Sequence, residues 1–350
     1  MRSPSGAASG AIRVRTDCMR TGSGGNFVVI ERHTLDDLKP VVIIAGPTAS
    51  GKTELALNAA KLVNGEVVNA DSMQVYAELC ILTARPTAAE TEGVPHHLFG
   101  CLAASARCSA GRWLGMAQGV LSDIHARGRV PVIAGGTGLY LKALTEGLAE
   151  VPEIPAEIVT RIGAHYDAIS GRAFRAELAA VDAEAAERLP DTDRQRLVRA
   201  AAVFAETGRT LTSWQAEQPP GPGYTADYAT VLLMPPRDEM YTAIDARFER
   251  MMELGALDEA RAFRDLGLAP DLPAMRAVGV AELLRHLDGE IDLETAVGKA
   301  KTASRQLAKR QMTWFRRQIR TDLIVDEKFS ERDNERIFSF IRKFLLTPGA

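Results

Sequence analysis

No run of about 18 apolar residues occurs in the chain, so nothing in it reads as a membrane span. Cysteine is scarce: Cys18, Cys80, Cys101 and Cys108 form no CxxC pair, and no histidine stands at a zinc-finger spacing from them. That excludes a disulfide scaffold and gives packing thiols in a reduced, cytoplasmic protein. The positive charges near the start are not followed by an apolar core, so a secretory signal is not expected. An excess of charge of one sign is missing too. There are 42 basic and 45 acidic residues, a net charge of −3, so any nucleic-acid binding has to come from a local patch. What remains, 350 residues with 46% apolar and 25% charged, is ordinary globular usage with room for one large or two modest domains.

Residues 1–24 are rich in Gly, Ser and Arg, lack apolar periodicity, and are read as a disordered tail within an N-terminal extension reaching residue 40. At Val41, Val42, Ile43 and Ile44 a β-branched run suits a buried parallel strand. A glycine-rich turn follows, then a helix over 54–63 in which Leu55, Ala59 and Leu62 recur at helical spacing, stopped by Asn64-Gly65. Val67 and Val68 begin a second strand, which ends at Asn69-Ala70-Asp71-Ser72. After a helix near 110–127, a third strand at 130–134 leads into Gly135-Gly136-Thr137-Gly138 and another helix. Strands alternating with helices predict a parallel α/β sheet. Between about 151 and 223 the strand pattern vanishes, which predicts an all-helical insertion domain, closed by a stiff Pro/Gly linker at Gln218–Gly223. Strand character returns at 230–234, followed by helices at 237–254, 257–266 and 293–320, so the α/β core is expected in two pieces, 41–150 and 224–330. Residues 331–350 form a C-terminal helix or tail.

Gly46, Pro47, Thr48, Ala49, Ser50, Gly51, Lys52 and Thr53 fit GxxxxGK[ST] between a predicted strand and a predicted helix, which is the context a P-loop requires. Small residues let backbone N–H groups turn toward phosphate oxygens, the helix N-terminus adds positive potential, and Lys52 adds a full charge. Thr53 offers a hydroxyl to Mg²⁺. The motif specifies a polyphosphate without specifying ATP. An ATPase places an acid for Mg²⁺ at the end of another core strand, whereas the third strand here ends in Gly-Gly-Thr-Gly. Asp71 stands at the end of the second strand, and its position alone leaves a Mg²⁺ ligand, a general base and a helix cap open.

Residues 299–320 hold eight Lys or Arg and no acid. On a helix Lys301, Arg305, Lys309, Arg316 and Arg320 fall within about a 100° sector, with Ala303, Leu307 and Trp314 opposite as core contacts. A cationic stripe on a nearly neutral protein suits a nucleic-acid backbone.

The phrases GPTASGKT (46–53), NADSMQVY (69–76), LTARP (82–86), PHHL (95–98), AGGTGLY (134–140), DRQRLVRA (193–200) and RQLAKRQMTWF (305–315) are collinear from about 41 to 325. Together they resemble the tRNA dimethylallyltransferases, and the absence of a following zinc finger resembles the bacterial type. The resemblance implies a P-loop-kinase-like α/β fold, a cytoplasmic monomer, and transfer of the dimethylallyl group from its diphosphate to N6 of adenosine 37 of tRNA with Mg²⁺. It implies that the P-loop holds the diphosphate, with Thr53 on Mg²⁺. It assigns the base to Asp71, the diphosphate bridging oxygen to Thr137, and further diphosphate contacts to Lys52 and Arg247. For tRNA it implies four contact segments besides Thr137: Asp71, Ser72, Met73 and Gln74; Gln195, Arg196, Leu197, Val198 and Arg199; Arg276, Ala277, Val278, Gly279, Val280 and Ala281; Lys309, Arg310, Gln311, Met312, Thr313, Trp314, Phe315 and Arg316. Within them Leu197, Met312 and Trp314 read as packing residues. The chain departs from the family at Gly100, where an acid is common soon after PHHL, at Val159 in place of a tRNA-facing arginine (Arg161 is the nearest substitute), and at Val280 in place of tyrosine. A nucleotide or small-molecule kinase that binds ATP is the rival reading.

Overall fold

The structure is a computed structural model and describes residues 38–217, 221–326 and 331–346. The predicted disordered tail, and Gln218 to Pro220 of the predicted linker, lie outside the described residues. The α/β part opens with β1 (Pro40–Ala45), α1 (Lys52–Leu62), β2 (Glu66–Asn69), β3 (His96–His97), α2 (Ala110–Ala126), β4 (Pro131–Gly135) and α3 (Gly138–Glu146). Five helices follow: α4 (Ala156–Ala168), α5 (Gly171–Ala179), α6 (Ala183–Arg188), α7 (Arg194–Thr207) and α8 (Leu211–Ala216). The chain then returns through β5 (Asp227–Leu233), α9 (Arg237–Glu253), α10 (Ala256–Asp265), α11 (Val280–Leu287), α12 (Leu293–Gln318), β6 (Leu323–Val325) and α13 (Glu331–Leu346).

The six strands are all parallel, in the order β3-β2-β4-β1-β5-β6. Alternate residues of β1 point to opposite faces, and both faces are covered. Val41 and Ile43 join a core built from α2, α3 and α9–α12, while Val42 and Ile44 meet Leu55, Ala56, Ala59 and Ala60 of α1 and Ile337 and Ile341 of α13. Burial on both faces is why β1 reads as an unbroken apolar run rather than an alternation. Strand β5 begins earlier than its apolar run, because Asp227, Tyr228 and Ala229 pair with Pro40, Val41 and Val42. The two edge strands β3 and β6 were not apparent in the sequence; each is too short to build a periodic pattern. Helices α4–α8 bury apolar clusters of their own, one around Phe174, Leu178, Leu189 and Leu197 and another around Ile154, Ala202 and Val203. Among the described residues no helix is long and apolar enough to cross a membrane.

At the N-terminal end of β2, away from the strand ends that carry the loops described below, Glu66 is buried with three basic partners. Its Oε2 lies 2.6 Å from His97 Nε2 and 2.7 Å from Arg127 Nη2, and Arg129 Nη1 stands 3.3 Å from Oε1. Burial opposes ionisation of Glu66, but the hydrogen bonds from His97 and Arg127 outweigh it and hold the carboxyl below its ordinary pKa. A carboxylate with a lowered pKa in the folded state stabilises the fold above its unfolded pKa, and that contribution is lost as pH falls through the folded value. Glu66→Gln should therefore be less stable than the parent near neutral pH. In urea titrations the gap should close as pH is lowered from about 5 to about 3; a pH-independent gap would show that Glu66 acts through packing alone.

Candidate active site

The loops after β1, β2 and β4 meet at the C-terminal end of the sheet, where ligands bind in open parallel α/β folds. β1 delivers the chain into the P-loop, in which Ala49 (φ 61°) and Gly51 (φ 86°) both turn left-handed and α1 begins at Lys52. Lys52 Nζ curls back to donate to the Pro47 carbonyl at 3.1 Å. Ser50 is buried, and its hydroxyl has no hydrogen-bond partner among the described residues. A buried polar atom left this way inside a P-loop is a donor awaiting an acceptor.

Asn69, at the end of β2, organises the second loop. Its side chain accepts from Asp71 N–H at 2.8 Å and donates to the carbonyls of Asp71 and Leu98, both at 3.0 Å. Asp71 in turn accepts from Met73 N–H on Oδ1 at 3.0 Å. The carboxylate is thereby oriented, and Oδ2 has no protein partner among the described residues. Thr137 links this loop to the one after β4: its Oγ1 accepts from Ser72 N–H at 2.9 Å and donates to Ser72 Oγ at 3.2 Å. Its N–H donates to the Ala70 carbonyl at 3.1 Å.

Arg247 enters from α9, with Nη1 3.4 Å from Thr48 Oγ1 and Nη2 3.4 Å from the Thr83 carbonyl. Thr48, Lys52, Thr53, Asp71, Met73, Gln74 and Arg247 line one cleft together with the apolar side chains of Leu82, Ile244, Phe248, Met251, Val278 and Leu307. Burial pushes the Lys52 ammonium pKa down to about 8; Asp71 opposes that shift and Arg247 adds to it. The Arg247 guanidinium is likewise lowered by burial, with Asp71 opposing. Among the described residues neither cation has a carboxylate within 4 Å, although eighteen other pairs meet that limit. Two half-buried cations with no paired acid among the described residues suit an anion of more than one charge. The apolar wall beside them suits a short hydrocarbon on that anion.

The remaining predicted contact residues divide by position. Gln195 and Arg276 are hydrogen-bonded at 2.6 Å and, with Thr192, Arg194 and Arg310, line a groove where α7 approaches α12 and the segment before α11. Arg196, Ala281, Lys309, Thr313 and Arg316 are exposed, and Arg199 is half-buried, its pKa lowered by burial. Leu197, Val280, Met312 and Phe315 pack inside the hydrophobic clusters and Val198 is buried, so these side chains support the fold, while Ala277 is buried at the lining of the cleft. Gly279 is buried at the start of α11 in a left-handed conformation (φ 92°). Val159 and Arg161 are both exposed on α4, and Gly100 donates its N–H to the Gln74 carbonyl.

The basic stripe needs correction. Lys301 pairs with Glu249 and Arg305 with Asp245, both at 2.6 Å and both on α9. Only Lys309, Arg316 and Arg320 of the five project freely from the surface. Trp314 packs against the core as expected, but the buried face of α12 otherwise differs from the expected one. It runs through Ala296, Ala300, Ala308, Met312 and Phe315, while Leu307 lines the cleft and the Trp314 ring occupies the space a side chain at Gly138 would need. Acids on a neighbouring helix redirect a charged face, and they are invisible in the periodicity of that face alone.

One residue that shapes the site was missed. Glu259 of α10 accepts from the N–H groups of Cys80 and Ile81 on Oε1, both at 2.7 Å, and of Leu82 on Oε2 at 2.8 Å. It thereby fixes the turn that presents Leu82 and Thr83 to the cleft. A lone helical glutamate carries no sequence mark of such a role. Gln311 was expected toward tRNA, but it points into the P-loop: its Oε1 accepts from Thr48 N–H and its Nε2 donates to the Gly136 carbonyl, both at 2.9 Å.

Comparison with known proteins gives one answer. The family model described as IPP transferase matches residues 74–318, and one described as isopentenyl transferase matches residues 39–98. The tRNA dimethylallyltransferase of Rhodospirillum centenum is 50% identical over 281 residues, covering 80% of this chain and 90% of the relative. That of Rhodospirillum rubrum is 45% identical over 315 residues, covering 89% and 97%. Among solved structures, the full-length tRNA isopentenylpyrophosphate transferase of Bacillus halodurans aligns with a TM-score of 0.64 at 33% identity, covering 88% of this chain and 97% of that one. A eukaryotic dimethylallyltransferase acting on tRNA aligns with a TM-score of 0.75 at 26% identity, covering 88% and 79%.

The ion pairs on α12 give a direct test of the corrected stripe. Arg305→Gln should cost about 1 kcal/mol of folding stability, the upper end for a partly exposed pair. Arg316→Gln should fall within about 0.5 kcal/mol of the parent, as exposed substitutions do. Urea denaturation of the two variants side by side reads the difference, and equal stabilities would return Arg305 to the solvent-facing stripe.

Proposed function

The chain belongs to the IPP transferase family and is a tRNA dimethylallyltransferase, and on that premise we propose how its residues divide the work. The reaction moves the dimethylallyl group from its diphosphate to N6 of adenosine 37 in tRNA and releases diphosphate. One observation carries the assignment of the cleft: Lys52 and Arg247 are half-buried, without acid partners among the described residues, beside an oriented carboxylate, Asp71. The diphosphate lies on the cations, the P-loop N–H groups and the Ser50 hydroxyl. The five-carbon chain lies along the apolar wall.

As the C1–O bond breaks, negative charge grows on the departing diphosphate, and fixed N–H groups with Lys52 and Arg247 stabilise that charge more than they stabilise the ground state. As the N6–C1 bond forms, the amine becomes acidic, and Asp71 Oδ2 takes its proton. Met73 N–H holds the other carboxylate oxygen and so sets the direction of approach. Thr137, held against Ser72, is assigned to the bridging oxygen of the diphosphate. Adenosine 37 has to leave its stack to reach this depth, and unstacked loop bases are the ones proteins bind in this way. The cytoplasm, where tRNA is available, is the compartment this reading requires.

Magnesium fits the donors present. Among the described residues no group of three or more His, Cys, Asp or Glu side chains gathers to hold a metal, but Thr53 places a hydroxyl at the rim of the cleft. A small divalent cation that keeps several waters and rests on diphosphate oxygens needs no more protein than that. When bound, Mg²⁺ supplies further neutralisation of the leaving group.

Kinase chemistry has weaker support. β4 ends in Gly135 and β5 in Leu233, so neither strand beside β1 ends in the acid an ATPase uses for its metal. Incubation with unmodified tRNA and dimethylallyl diphosphate, followed by nucleoside mass spectrometry, should show prenylated adenosine and free pyrophosphate. ADP formed from ATP in step with turnover would falsify the assignment. Asp71→Ala should lose about 10²–10⁴-fold in rate while keeping most affinity for dimethylallyl diphosphate. Lys52→Ala should weaken that affinity and slow the reaction together. Changing Lys309 and Arg316 to glutamine should flatten the log–log salt dependence of tRNA binding by about one to two units.

A further inference from the structure

β1 and β4 run side by side until the pair Ala45 and Gly135, after which the two chains part into the P-loop and the Thr137 loop. No backbone hydrogen bond joins those loops directly beyond that pair among the described residues. One side-chain amide does. Gln311 comes from α12, accepts from Thr48 N–H and donates to the Gly136 carbonyl, both at 2.9 Å. It has the donor–acceptor pattern of a peptide group and stands where the next rung of the ladder would be. No carboxylate or ammonium offers both functions at once. The approach is close: a Cβ on Gly136 would lie 2.5 Å from Gln311 Nε2 and 3.2 Å from the Gly46 carbonyl oxygen. One helical turn on, Trp314 packs against Gly138. The helix therefore grips both sides of the loop that carries Thr137.

We propose that Gln311 is a positioning residue for the transfer reaction, fixing the distance between the diphosphate cradle of the P-loop and the Thr137 loop rather than contacting tRNA. This rests on the reading that the cleft holds the diphosphate. Groups that must meet a developing charge lose much of their effect when misplaced by about 1 Å, on the order of 10²-fold in rate. Without the amide, the P-loop and Thr137 remain present but lose their common spacing. Oε1 and Nε2 are each engaged by a protein group, which fixes the plane of the amide, while one N–H and one lone pair remain.

The test uses the full chain and inorganic pyrophosphate, measured by calorimetry without tRNA, alongside steady-state kinetics. Gln311→Leu should weaken pyrophosphate binding about tenfold and lower kcat by about 10²-fold, with the tRNA KM changed by less than about threefold and the thermal midpoint nearly unmoved. Gln311→Asn keeps an amide but is too short to span both loops, and should match Gln311→Leu. Gly136→Ala pushes the amide out of place and should give the same losses, and the double variant should be no worse than the worse single, because both substitutions remove one interaction. If Gly136→Ala does not fold, the two Gln311 variants decide the matter alone. Unchanged pyrophosphate affinity with a raised tRNA KM would make Gln311 a tRNA contact and overturn the proposal. So would losses that multiply in the double variant. Failure of the unsubstituted protein to bind pyrophosphate would be a different result, overturning the diphosphate reading of the cleft and this inference with it.

Discussion

Lys52 and Arg247 are half-buried in the cleft with no acid paired to either among the described residues, and the surrounding structure holds them there. Withdrawing an unpaired cation even partly from water is costly, so it persists only where the fold holds it rigidly. Rigidity comes from the parallel sheet, whose central strand is packed on both faces and ends directly in the P-loop. It also comes from α9, which carries Arg247 inward on the same helix that uses Asp245 and Glu249 to bind α12. Asp71 is near enough to moderate both cations yet is directed by Asn69 and Met73 to a separate task. The imbalance of charge is thus a feature of the free protein, and the diphosphate proposed for the cleft would relieve it.

Helix α12 shows how one element serves several demands. Its buried residues are small or slender where it crosses the core, Ala296, Ala300 and Ala308, which permits close approach to its neighbours. Lys301 and Arg305 tie it to α9, Leu307 and Gln311 enter the cleft, and Lys309 and Arg316 face solvent. A helix can divide itself this way because each residue turns about 100° from the last, so neighbours in sequence meet different surroundings.

That division explains what could and could not be read in advance. The P-loop, the strand–helix alternation and the helical stretch before β5 were legible because each depends on local pattern: a fixed glycine spacing, an unbroken β-branched run, an absence of strand character. The seven collinear phrases carried the family. The start of β5 at Asp227, the two short edge strands and the ion pairs of α12 were not legible, since each is decided by a partner distant in sequence. Glu259 is the clearest case. It holds three N–H groups of a turn nearly 180 residues away, and nothing around it in sequence distinguishes it from a glutamate on a solvated helix. Segments matched as tRNA contacts also mixed outward and inward side chains, as the burial of Val198 and Val280 beside exposed Arg196 and Ala281 shows.

The strand order has a consequence for how the molecule comes into being. β1, which ends in the P-loop, lies between β4 and β5, and α1 behind it is covered by α13. The first part of the site in sequence is therefore packed by elements that come much later, β5 and α13. While the ribosome is still making α4–α8, one edge of β1 lacks its neighbour and one face of α1 lacks its cover. Long-range pairing of this kind is slow to form and leaves unpaired edges exposed meanwhile. The helices made in that interval bury clusters of their own, so they can begin to pack without the sheet. A nascent chain that already contains the P-loop thus has to wait for β5 and α13 before the strand and helix that carry it are fully packed.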